Sequence, residues 1–309
     1  MVLPVYNGAE HLAESMESIL AQRLQEFELL IVNDASADGS LAIALAYQDS
    51  RIRVIDLEHN IGLAAALNIG IEAASTPIVA RQDQDDISDP RRLERQLAAF
   101  DLNPGLVLVG TWARIISQSA DGDWTASGSH RHPVADDELR LRLLWNNPFV
   151  HSSVAFRRDV FVQAGRYGTD PILSWPEDYD LWVRMAPLGE LANIPEELLT
   201  YRQTAGGMSD AHRDRIRDGV VRIASANLAM ASGIEIDNPD LLGLARVLNS
   251  VPAKSVSPLQ VWRRVRIFQR AAAKVAPGGA LHLLAVRARW ASKIAIRSLD
   301  PRWGTLDER

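Results

Sequence analysis

The sequence predicts an α/β fold built on a mostly parallel sheet that is flanked by helices. Over residues 1–100, short apolar runs alternate with segments of helical periodicity, and polar residues follow each apolar run. Strands that alternate with helices imply right-handed βαβ crossovers, which produce parallel sheets. The chain has 309 residues, of which 47% are hydrophobic and 23% charged, which suits a large globular domain with an appendage.

The alternation predicts four strands and four helices in order. The strands are predicted at 2–5, 27–34, 51–57 and 77–83, and the helices at 9–22, 39–48, 62–74 and 90–100. In such sheets, ligands bind beyond the carboxyl ends of the strands. The polar residues at those ends should therefore meet at one edge of the sheet, and they are Tyr6, Asn7, Asn33, Asp34, His59, Asn60, Asp83, Gln84 and Asp85.

After Gly105 the pattern changes. Strands are predicted at 106–117, 151–157 and 191–202, helices at 136–145 and 177–190, and a polar loop at 121–130. From Met208 onward the sequence predicts helices only, so we place a domain boundary near Gly206 and Gly207.

Composition and charge exclude several classes of function. The chain lacks cysteine, which excludes disulfides, thiolate metal sites and a cysteine nucleophile. A net charge of −6 argues against a nucleic-acid partner. We find no signal-peptide pattern and no apolar run near eighteen residues, so we expect a cytoplasmic chain without a transmembrane span. Ten basic residues lie between Pro258 and Trp303, against Asp300 as the one acidic residue.

A cluster of aspartates follows the fourth predicted strand. On an extended segment, Asp83 and Asp85 share one face while Gln84 and Asp86 point to the other. Two carboxylates at a strand end can hold a divalent cation such as Mg²⁺, which also takes phosphate oxygens from a substrate. An isolated Asp-x-Asp is more often a solvated acidic turn, in which Asp89 merely precedes a helix. Its place after the fourth strand favours the metal site.

Five segments of the chain resemble, in order, the successive blocks of glycosyltransferase family 2. They are "LPVYNGAEHLAESMESILAQ", "FELLIVNDASADGS", "HNIGLAAALNIGIEAA", "IVARQDQDDISDPRRLERQ" and "WPEDYDLWVR". The resemblance extends to Tyr201 and Arg202 and implies the GT-A nucleotide-sugar-binding fold. It further implies a catalytic domain at 1–207, with a nucleotide-binding half at 1–104 and an acceptor half at 105–207, followed by a helical, basic region at 208–309.

The resemblance also implies roles for individual residues. Asp34 matches the acidic residue that accepts a hydrogen bond from the uracil ring, and thymine offers the same N–H, so a UDP-sugar and a dTDP-sugar both fit. Asp85 matches the metal ligand, for Mg²⁺ or Mn²⁺, and Asp178 matches the general base of an inverting displacement. The remaining matches to nucleotide-sugar-binding positions are Pro4, Val5, Tyr6, Asn60, Gly62 and Asp83.

Three positions depart from the family pattern. Asn33 stands where an aspartate is usual, Leu67 where many members have arginine, and Thr204 where many have a metal-assisting histidine. The departures at Leu67 and Thr204 leave room for weaker binding of the phosphates and the metal.

Residues of the acceptor half are candidates for contact with the acceptor. His151, Trp175 and Glu177 lie where the family builds this pocket, and Trp175 could offer its ring to a sugar. The alternatives are core packing, which we expect for Trp182, and a structural role for Glu177 and Asp178 as acids at a helix N-terminus.

The C-terminal region contains a predicted amphipathic helix. Its apolar stripe is Leu281, Leu284, Ala288, Ala291 and Ala295, and its cationic face is Arg289, Lys293 and Arg297. The helix either packs on the catalytic domain or binds an anionic membrane surface near a lipid-linked acceptor.

We therefore expect a metal-dependent inverting glycosyltransferase, with no nucleic-acid partner, at the inner face of the membrane. It would move a sugar from a nucleoside-diphosphate sugar to a hydroxyl of a saccharide or lipid-linked acceptor in cell-surface polysaccharide synthesis. A sugar-phosphate nucleotidylyltransferase would need a glycine-rich, basic loop after the first strand, and "PVYNGAEHLAES" has neither feature. A non-catalytic nucleotide-sugar-binding or scaffold protein of the same fold is the other alternative.

Overall fold

The computed structural model describes residues 1–119, 121–170, 175–204, 212–251, 256–277 and 281–299, with 281–283 by backbone only. The chain packs into two compact units. The first comprises residues 1–134, 149–170 and 184–211, and the second comprises 135–148, 171–183 and 212–309. The boundary near residue 207 stays a prediction, because the packing places 135–148 and 171–183 with the C-terminal helices.

The four strands and four helices predicted for residues 1–100 lie where the sequence predicts them, within a few residues at each end, and a further short strand at Ile87–Ser88 was not predicted. The strands are β1 (Val2–Val5), β2 (Leu29–Asn33), β3 (Ile52–Asp56), β4 (Ile78–Ala80), β5 (Ile87–Ser88), β6 (Leu106–Gln118), β7 (Trp124–His130), β8 (Ala155–Arg157) and β9 (Glu190–Gln203). The helices are α1 (Leu12–Leu20), α2 (Ser40–Ala46), α3 (Leu63–Ala73), α4 (Arg92–Leu102), α5 (Asp136–Leu143), α6 (Arg158–Gln163), α7 (Glu177–Met185), α8 (Arg213–Ser232), α9 (Pro239–Leu248), α10 (Pro258–Val275) and α11 (Leu281–Leu299).

Strands β1, β2 and β3 form a parallel sheet with β2 in the centre. Every residue of β1 and β2 is buried, as expected for strands that are covered on both faces. Val5 pairs with Asn33, and Asn33 pairs with Asp56. The three strands therefore end in register, and the residues that follow them emerge at one edge.

The remaining strands form a mixed sheet in the order β4-β8-β6-β9-β5, with β7 paired to β6. The pair β6–β9 is parallel, and the other pairs are antiparallel. A parallel bridge between Val2 and Arg81 joins β1 to the chain just after β4. The parallel pattern predicted from the sequence thus describes β1–β3 and the β6–β9 pair, while antiparallel pairs complete the fold.

Two local predictions are wrong. The polar loop predicted at 121–130 contains β7, and residues 125–129 of that strand are exposed, so it lacks the apolar alternation by which strands are recognised. The strand predicted at 151–157 begins with a 3₁₀ turn, His151–Ser153, and only Ala155–Arg157 is extended.

The second unit is a helical assembly with its own core. Trp145, Leu228, Leu244 and Phe268 are at most 2% exposed and belong to one apolar cluster. The Ser257 hydroxyl accepts a hydrogen bond from the backbone N–H of Gln260, and the Gln260 side-chain oxygen accepts one from the backbone N–H of Ser257, so a capping box begins α10. Past residue 212, the described residues contain helices and no strands, as predicted.

The predicted faces of α11 are wrong. The helix packs against the core of the second unit through Val286, Trp290 and Ile294, and not through the predicted stripe. Leu284 and Ala288 of that stripe are exposed, Ala291 and Ala295 are half-buried, and the side chain of Leu281 lies outside the described residues. Cationic side chains pack inward instead, because Arg297 donates a hydrogen bond to the carbonyl of Val247 at 3.0 Å.

None of the helices that the structure describes combines the length and the apolar character needed to span a bilayer.

Candidate active site

Asp34 follows β2 and shapes the loop that follows β3. Its side chain is buried, and its two carboxylate oxygens accept hydrogen bonds from the backbone N–H groups of Ile61 (2.7 Å) and Gly62 (2.9 Å). The Asn60 side chain donates to the Asp34 carbonyl at 3.3 Å. Gly62 has φ = +86°, a conformation that favours glycine, and α3 begins at the next residue. The predicted polar residues of β2 and β3 therefore meet at one edge.

Tyr6 and Gln84 connect the ends of β1 and β4. The Gln84 side-chain oxygen accepts from the Tyr6 N–H at 2.8 Å, and its amide donates to the Tyr6 carbonyl at 3.1 Å. A Cβ at Gly8 would lie 2.3 Å from the Gln84 side-chain carbonyl carbon, so this clip requires glycine there. The Tyr6 side chain is 50% exposed, whereas Pro4 and Val5 are buried. Of these three residues, which the sequence predicts to bind the nucleotide sugar, Tyr6 alone presents its side chain to solvent.

Asp83 is neutralised by an arginine of the chain. Both terminal nitrogens of Arg81 contact its carboxylate, with Nη1 at 2.9 Å from Oδ2. The Arg81 side chain is fully buried, and its bidentate contact is the strong form of a carboxylate–guanidinium pair. The Asp83 N–H donates to the hydroxyl of Ser152 at 2.9 Å, and its carbonyl accepts from Ser15 at 3.2 Å. Asp83 is thus held through its side chain and its backbone.

The predicted alternation of side chains over residues 83–86 is wrong. Gln84 and Asp85 form a turn, in which the N–H of Asp86 approaches the carbonyl of Asp83 at 3.3 Å. The turn buries Asp86 completely and leaves Asp83 and Asp85 half-buried. The residues are polar at every position, so the apolar pattern that distinguishes a strand from a turn is missing here.

Asp85 and Asp86 lie in an environment that resists their ionisation. Burial, followed by the negative charge of Asp83, raises the pKa of Asp85 to about 6. Burial and the charges of Asp83 and Asp85 also raise the pKa of Asp86 well above its usual range. No hydrogen bond or ion pair from another side chain reaches the Asp85 carboxylate among the described residues. A divalent cation would favour the ionised form of Asp85, so its position fits a metal ligand.

The sequence did not point to Arg202, which lies at the end of β9. Its N–H donates to Asp86 at 2.9 Å, and its guanidinium forms an ion pair with Glu14 at 2.7 Å. The guanidinium also lies 4.8 Å from the centre of the Trp124 ring, and its charge acts to lower the pKa of Asp85. Arg202 is therefore a cation beside the acidic turn. Leu67, at the usual arginine position, is fully buried in the core.

His151 and Ser152 do not act as a base and nucleophile. The His151 Nε2 lies 2.8 Å from the Tyr167 hydroxyl, while the Ser152 hydroxyl accepts from the backbone of Asp83. Burial of the ring and the charge of Arg81 hold the pKa of His151 well below its usual range. His151 is therefore neutral at pH 7, and its acceptor role stays a prediction.

Asp178 belongs to the second unit and lies in the first turn of α7. One carboxylate oxygen accepts from the side-chain amide of Asn147 at 2.6 Å, and the other accepts from the N–H of Tyr179 at 2.7 Å. The buried Tyr179 hydroxyl donates to the carbonyl of Leu143 at 2.8 Å, which anchors the helix. Glu177 is the first residue of α7, as predicted for an acid at a helix N-terminus. Asn147 was not identified from the sequence.

Trp175 is half-buried in the second unit. The Arg215 guanidinium lies 4.8 Å from the centre of its ring, and Arg222 donates to its carbonyl at 3.1 Å. A Cβ at Gly219 would approach that carbonyl to 2.1 Å, so α8 passes close to this segment. Trp145 and Trp182 are core residues, as predicted for Trp182. A sugar platform at Trp175 stays a prediction.

The described residues contain no group of three histidine or carboxylate side chains arranged to hold a metal ion. A metal at Asp85 would therefore need ligands from the substrate or from water, as Mg²⁺ commonly does.

The comparisons with known proteins agree on one family. Residues 1–164 match the sequence profile of glycosyl transferase family 2. The amylovoran biosynthesis glycosyltransferase AmsE of Erwinia amylovora is 33% identical over 207 residues, which cover 65% of this chain and 75% of AmsE. The putative glycosyltransferase EpsE of Bacillus subtilis is 33% identical over 220 residues, which cover 70% of this chain and 75% of EpsE.

Solved structures show the same fold. TarS (residues 1–349) of S. aureus, in complex with UDP-GlcNAc, matches 96% of this chain and 89% of its own, with a TM-score of 0.60 and 16% identity. The mannosyltransferase PcManGT of Pyrobaculum calidifontis, in complex with GDP-Man and Mn²⁺, matches 100% of this chain and 87% of its own, with a TM-score of 0.58 and 18% identity. The fold is GT-A with additional helices, as predicted.

Proposed function

The chain belongs to glycosyltransferase family 2 and is a glycosyltransferase, and we propose that it is a metal-dependent, inverting enzyme that uses a UDP- or dTDP-sugar. The relatives include glycosyltransferases named for amylovoran and O-antigen biosynthesis, which supports a saccharide or lipid-linked acceptor in cell-surface polysaccharide synthesis. The observation that carries the metal assignment is the contrast between two neighbouring acids. Arg81 neutralises Asp83, whereas Asp85 has a pKa raised to about 6 and no comparable partner among the described side chains.

The first unit supplies the groups for the donor. We assign the exposed ring of Tyr6 to the base, and the remaining acceptor sites of the Asp34 carboxylate to the ring N–H of uracil or thymine. Asn60 and Gly62 would line the nucleotide, and Asp83 the ribose or diphosphate. Asp85 would hold Mg²⁺ or Mn²⁺, which stabilises the charge that grows on a departing nucleoside diphosphate.

We assign proton removal to Asp178. The Asn147 amide orients its carboxylate, which takes the proton from the acceptor hydroxyl as the acceptor oxygen attacks the anomeric carbon. The new C–O bond forms as the bond to the nucleoside diphosphate breaks, and that electron pair leaves with the diphosphate. Attack opposite to the leaving group inverts the anomeric configuration. We place His151, Trp175 and Glu177 with the acceptor.

The proposal also concerns where the enzyme is located in the cell. No described helix could cross a membrane, and we propose that the C-terminal basic helices hold the enzyme on an anionic membrane surface at the inner face of the membrane.

The test is a screen of UDP-, dTDP- and GDP-sugars for hydrolysis and transfer, with Mg²⁺, Mn²⁺ or chelator. We expect Asp178→Asn to lower kcat by about 10²- to 10⁴-fold, the usual contribution of a general base. Asp180→Asn is the matched control, because it removes a carboxylate from the same first turn of α7 and should change kcat by less than about threefold.

Asp85→Asn should abolish the stimulation of activity by Mg²⁺ or Mn²⁺. Full activity in both Asp178→Asn and Asp85→Asn would refute the assigned roles, and turnover of GDP-sugars alone would refute the assigned donor.

A further inference from the structure

Helix α10 presents a continuous face of cations and large apolar side chains to solvent. Leu259 is 57% exposed and Trp262 is 55% exposed, one turn apart near the start of the helix. The cations Arg263, Arg266, Arg270 and Lys274 are exposed and follow at helical spacings of three or four residues. All six side chains therefore lie on one side of α10, opposite the core residues Phe268 and Ala271.

Helix α10 supplies no acidic side chain of its own to offset these cations. The sequence contains no acidic residue between Pro258 and Leu299. Among the described residues, none of the four cations forms a salt bridge, whereas Arg264 on the buried side lies 3.7 Å from Asp240. Charged side chains on protein surfaces are ordinarily mixed in sign, so a face of one sign indicates attraction of an anionic partner.

A cleft of about 560 Å³ opens along the same face. Trp262, Arg263, Arg266 and Arg270 line it, and the Arg266 guanidinium lies 5.1 Å from the centre of the Trp262 ring. The cleft also contains the carboxylate of Asp240, which is 6% exposed and faces Arg264, so it offsets little of the outer charge. Tryptophan and arginine side by side suit the boundary between lipid headgroups and acyl chains.

We propose that this face of α10 binds an anionic lipid surface, with Leu259 and Trp262 at the headgroup boundary and the four cations over lipid phosphates. The inference specifies the surface of the membrane association included in the proposed function. Helix α11, for which the sequence left membrane binding open as an alternative to packing, suits this role less. Its exposed side chains are mostly apolar and include Leu284, Ile296 and Leu299.

Except for Arg289, the cations of α11 are engaged within the second unit. The Lys293 amine lies 4.6 Å from the centre of the Trp290 ring, and Arg297 donates to the carbonyl of Val247. Arg289 is the one cation that is exposed among the described side chains of α11. This helix therefore offers a matched control that carries cations outside the proposed surface.

The test is co-sedimentation of the full chain with vesicles of phosphatidylcholine alone, or of phosphatidylcholine and phosphatidylglycerol in equal parts. We expect binding to the anionic vesicles only, weakening as salt is added. Arg263→Gln with Arg270→Gln should lower the partition coefficient about 30-fold, since two cations leave the surface. Trp262→Ser should lower it about tenfold.

The control Arg289→Gln with Lys293→Gln removes the same charge and should change partition by less than about threefold. Equal loss in both double variants, binding to neutral vesicles, or no vesicle binding would overturn the inference. Hydrolysis of the nucleotide sugar in solution is measured on the same preparations, because it reports the proposed function separately. Hydrolysis without vesicle binding refutes only the lipid surface, and vesicle binding without hydrolysis refutes only the proposed donor chemistry.

Discussion

The acidic turn at residues 81–86 and the cationic face of α10 differ in whether their charges have partners within the chain. In the turn, the buried guanidinium of Arg81 donates hydrogen bonds to the carboxylate of Asp83, and the backbone N–H of Arg202 donates to Asp86. On α10, the exposed cations form no salt bridge among the described residues. Buried charges need partners because desolvation is costly, whereas exposed cations are solvated by water.

The difference distinguishes a structural role from a binding role. Charges that have a partner within the chain stabilise the shape of the site, whereas a charge without such a partner indicates a place where a ligand can bind. Within the turn, Asp85 is the acid without such a partner among the described side chains, and its pKa is raised to about 6. Three variants test this contrast through the free energy of unfolding, and they are ordered by expected effect.

The largest effect is expected for Arg81→Met. The change keeps much of the side-chain volume but leaves Asp83 without its cation, beside Asp85 and Asp86. Breaking a buried pair costs roughly 3–5 kcal/mol, and we expect the lower end because the Asp83 side chain is 31% exposed. Urea unfolding followed by circular dichroism gives the difference.

The matched control is Arg53→Met. This arginine is 51% exposed and lies 3.7 Å from Glu28, so its loss should change the free energy of unfolding by less than about 0.5 kcal/mol. A loss of similar size in both variants would show that the Arg81–Asp83 pair is no more than a surface salt bridge.

A smaller effect of opposite sign is expected for Asp85→Asn. The folded-state pKa of about 6 exceeds the ordinary value of 3.8, so the folded chain binds more protons than the unfolded chain between these pH values. The free energy of unfolding therefore falls as the pH rises from about 4 to about 6, and this cost is fully present at pH 7. Removing it should stabilise the protein at pH 7 by about 1–2 kcal/mol, allowing for the partial exposure of the carboxyl.

The gain from Asp85→Asn should shrink as the pH falls through 4 and disappear near pH 3, where both states of the wild type are protonated at this position. Unfolding curves between pH 3 and 8, with and without Mn²⁺, measure both effects. If the variant is less stable than the wild type at pH 7 in the absence of metal, the ionised Asp85 carboxylate does not destabilise the folded chain, and the prediction is wrong.

The smallest effect is expected for Arg263→Gln with Arg270→Gln. These side chains have no ionic partners among the described residues, so the double variant should lie within about 0.5 kcal/mol of the wild type. Thermal unfolding at low and high salt measures it. A loss above about 1 kcal/mol would mean that the face of α10 supports the fold.

The fold of residues 1–100 could largely be predicted from the sequence because β1, β2 and β4 are short apolar runs that alternate with helical patterns. The register of Val5, Asn33 and Asp56 brings the polar residues after those strands to one edge, as the alternation predicts. The pairing of Asp34 with Ile61 and Gly62, and of Tyr6 with Gln84, confirms that these ends meet.

Other parts depend on partners that are distant in the chain. Arg202 reaches Asp86 across more than a hundred positions, and no local pattern signals that contact. Arg81 stands two residues before Asp83, so an arginine beside the acids was an available signal for their neutralising cation. The faces of α11 were mistaken because alanine, leucine and isoleucine occur all around that helix, and periodicity alone could not choose the side that packs.

The clip between Gln84 and Tyr6 has a consequence for attempts to redirect this enzyme to other donors. The backbone of Tyr6 is hydrogen-bonded to the side chain of Gln84, which immediately precedes Asp85. Gly8 leaves the space that this side chain occupies. With Tyr6 proposed to contact the base and Asp85 proposed to hold the metal, we expect selection for altered base preference around Tyr6 to alter affinity for Mn²⁺ in the same clones. Libraries that vary Tyr6, Gly8 and Gln84 together test this expected link between donor choice and metal requirement.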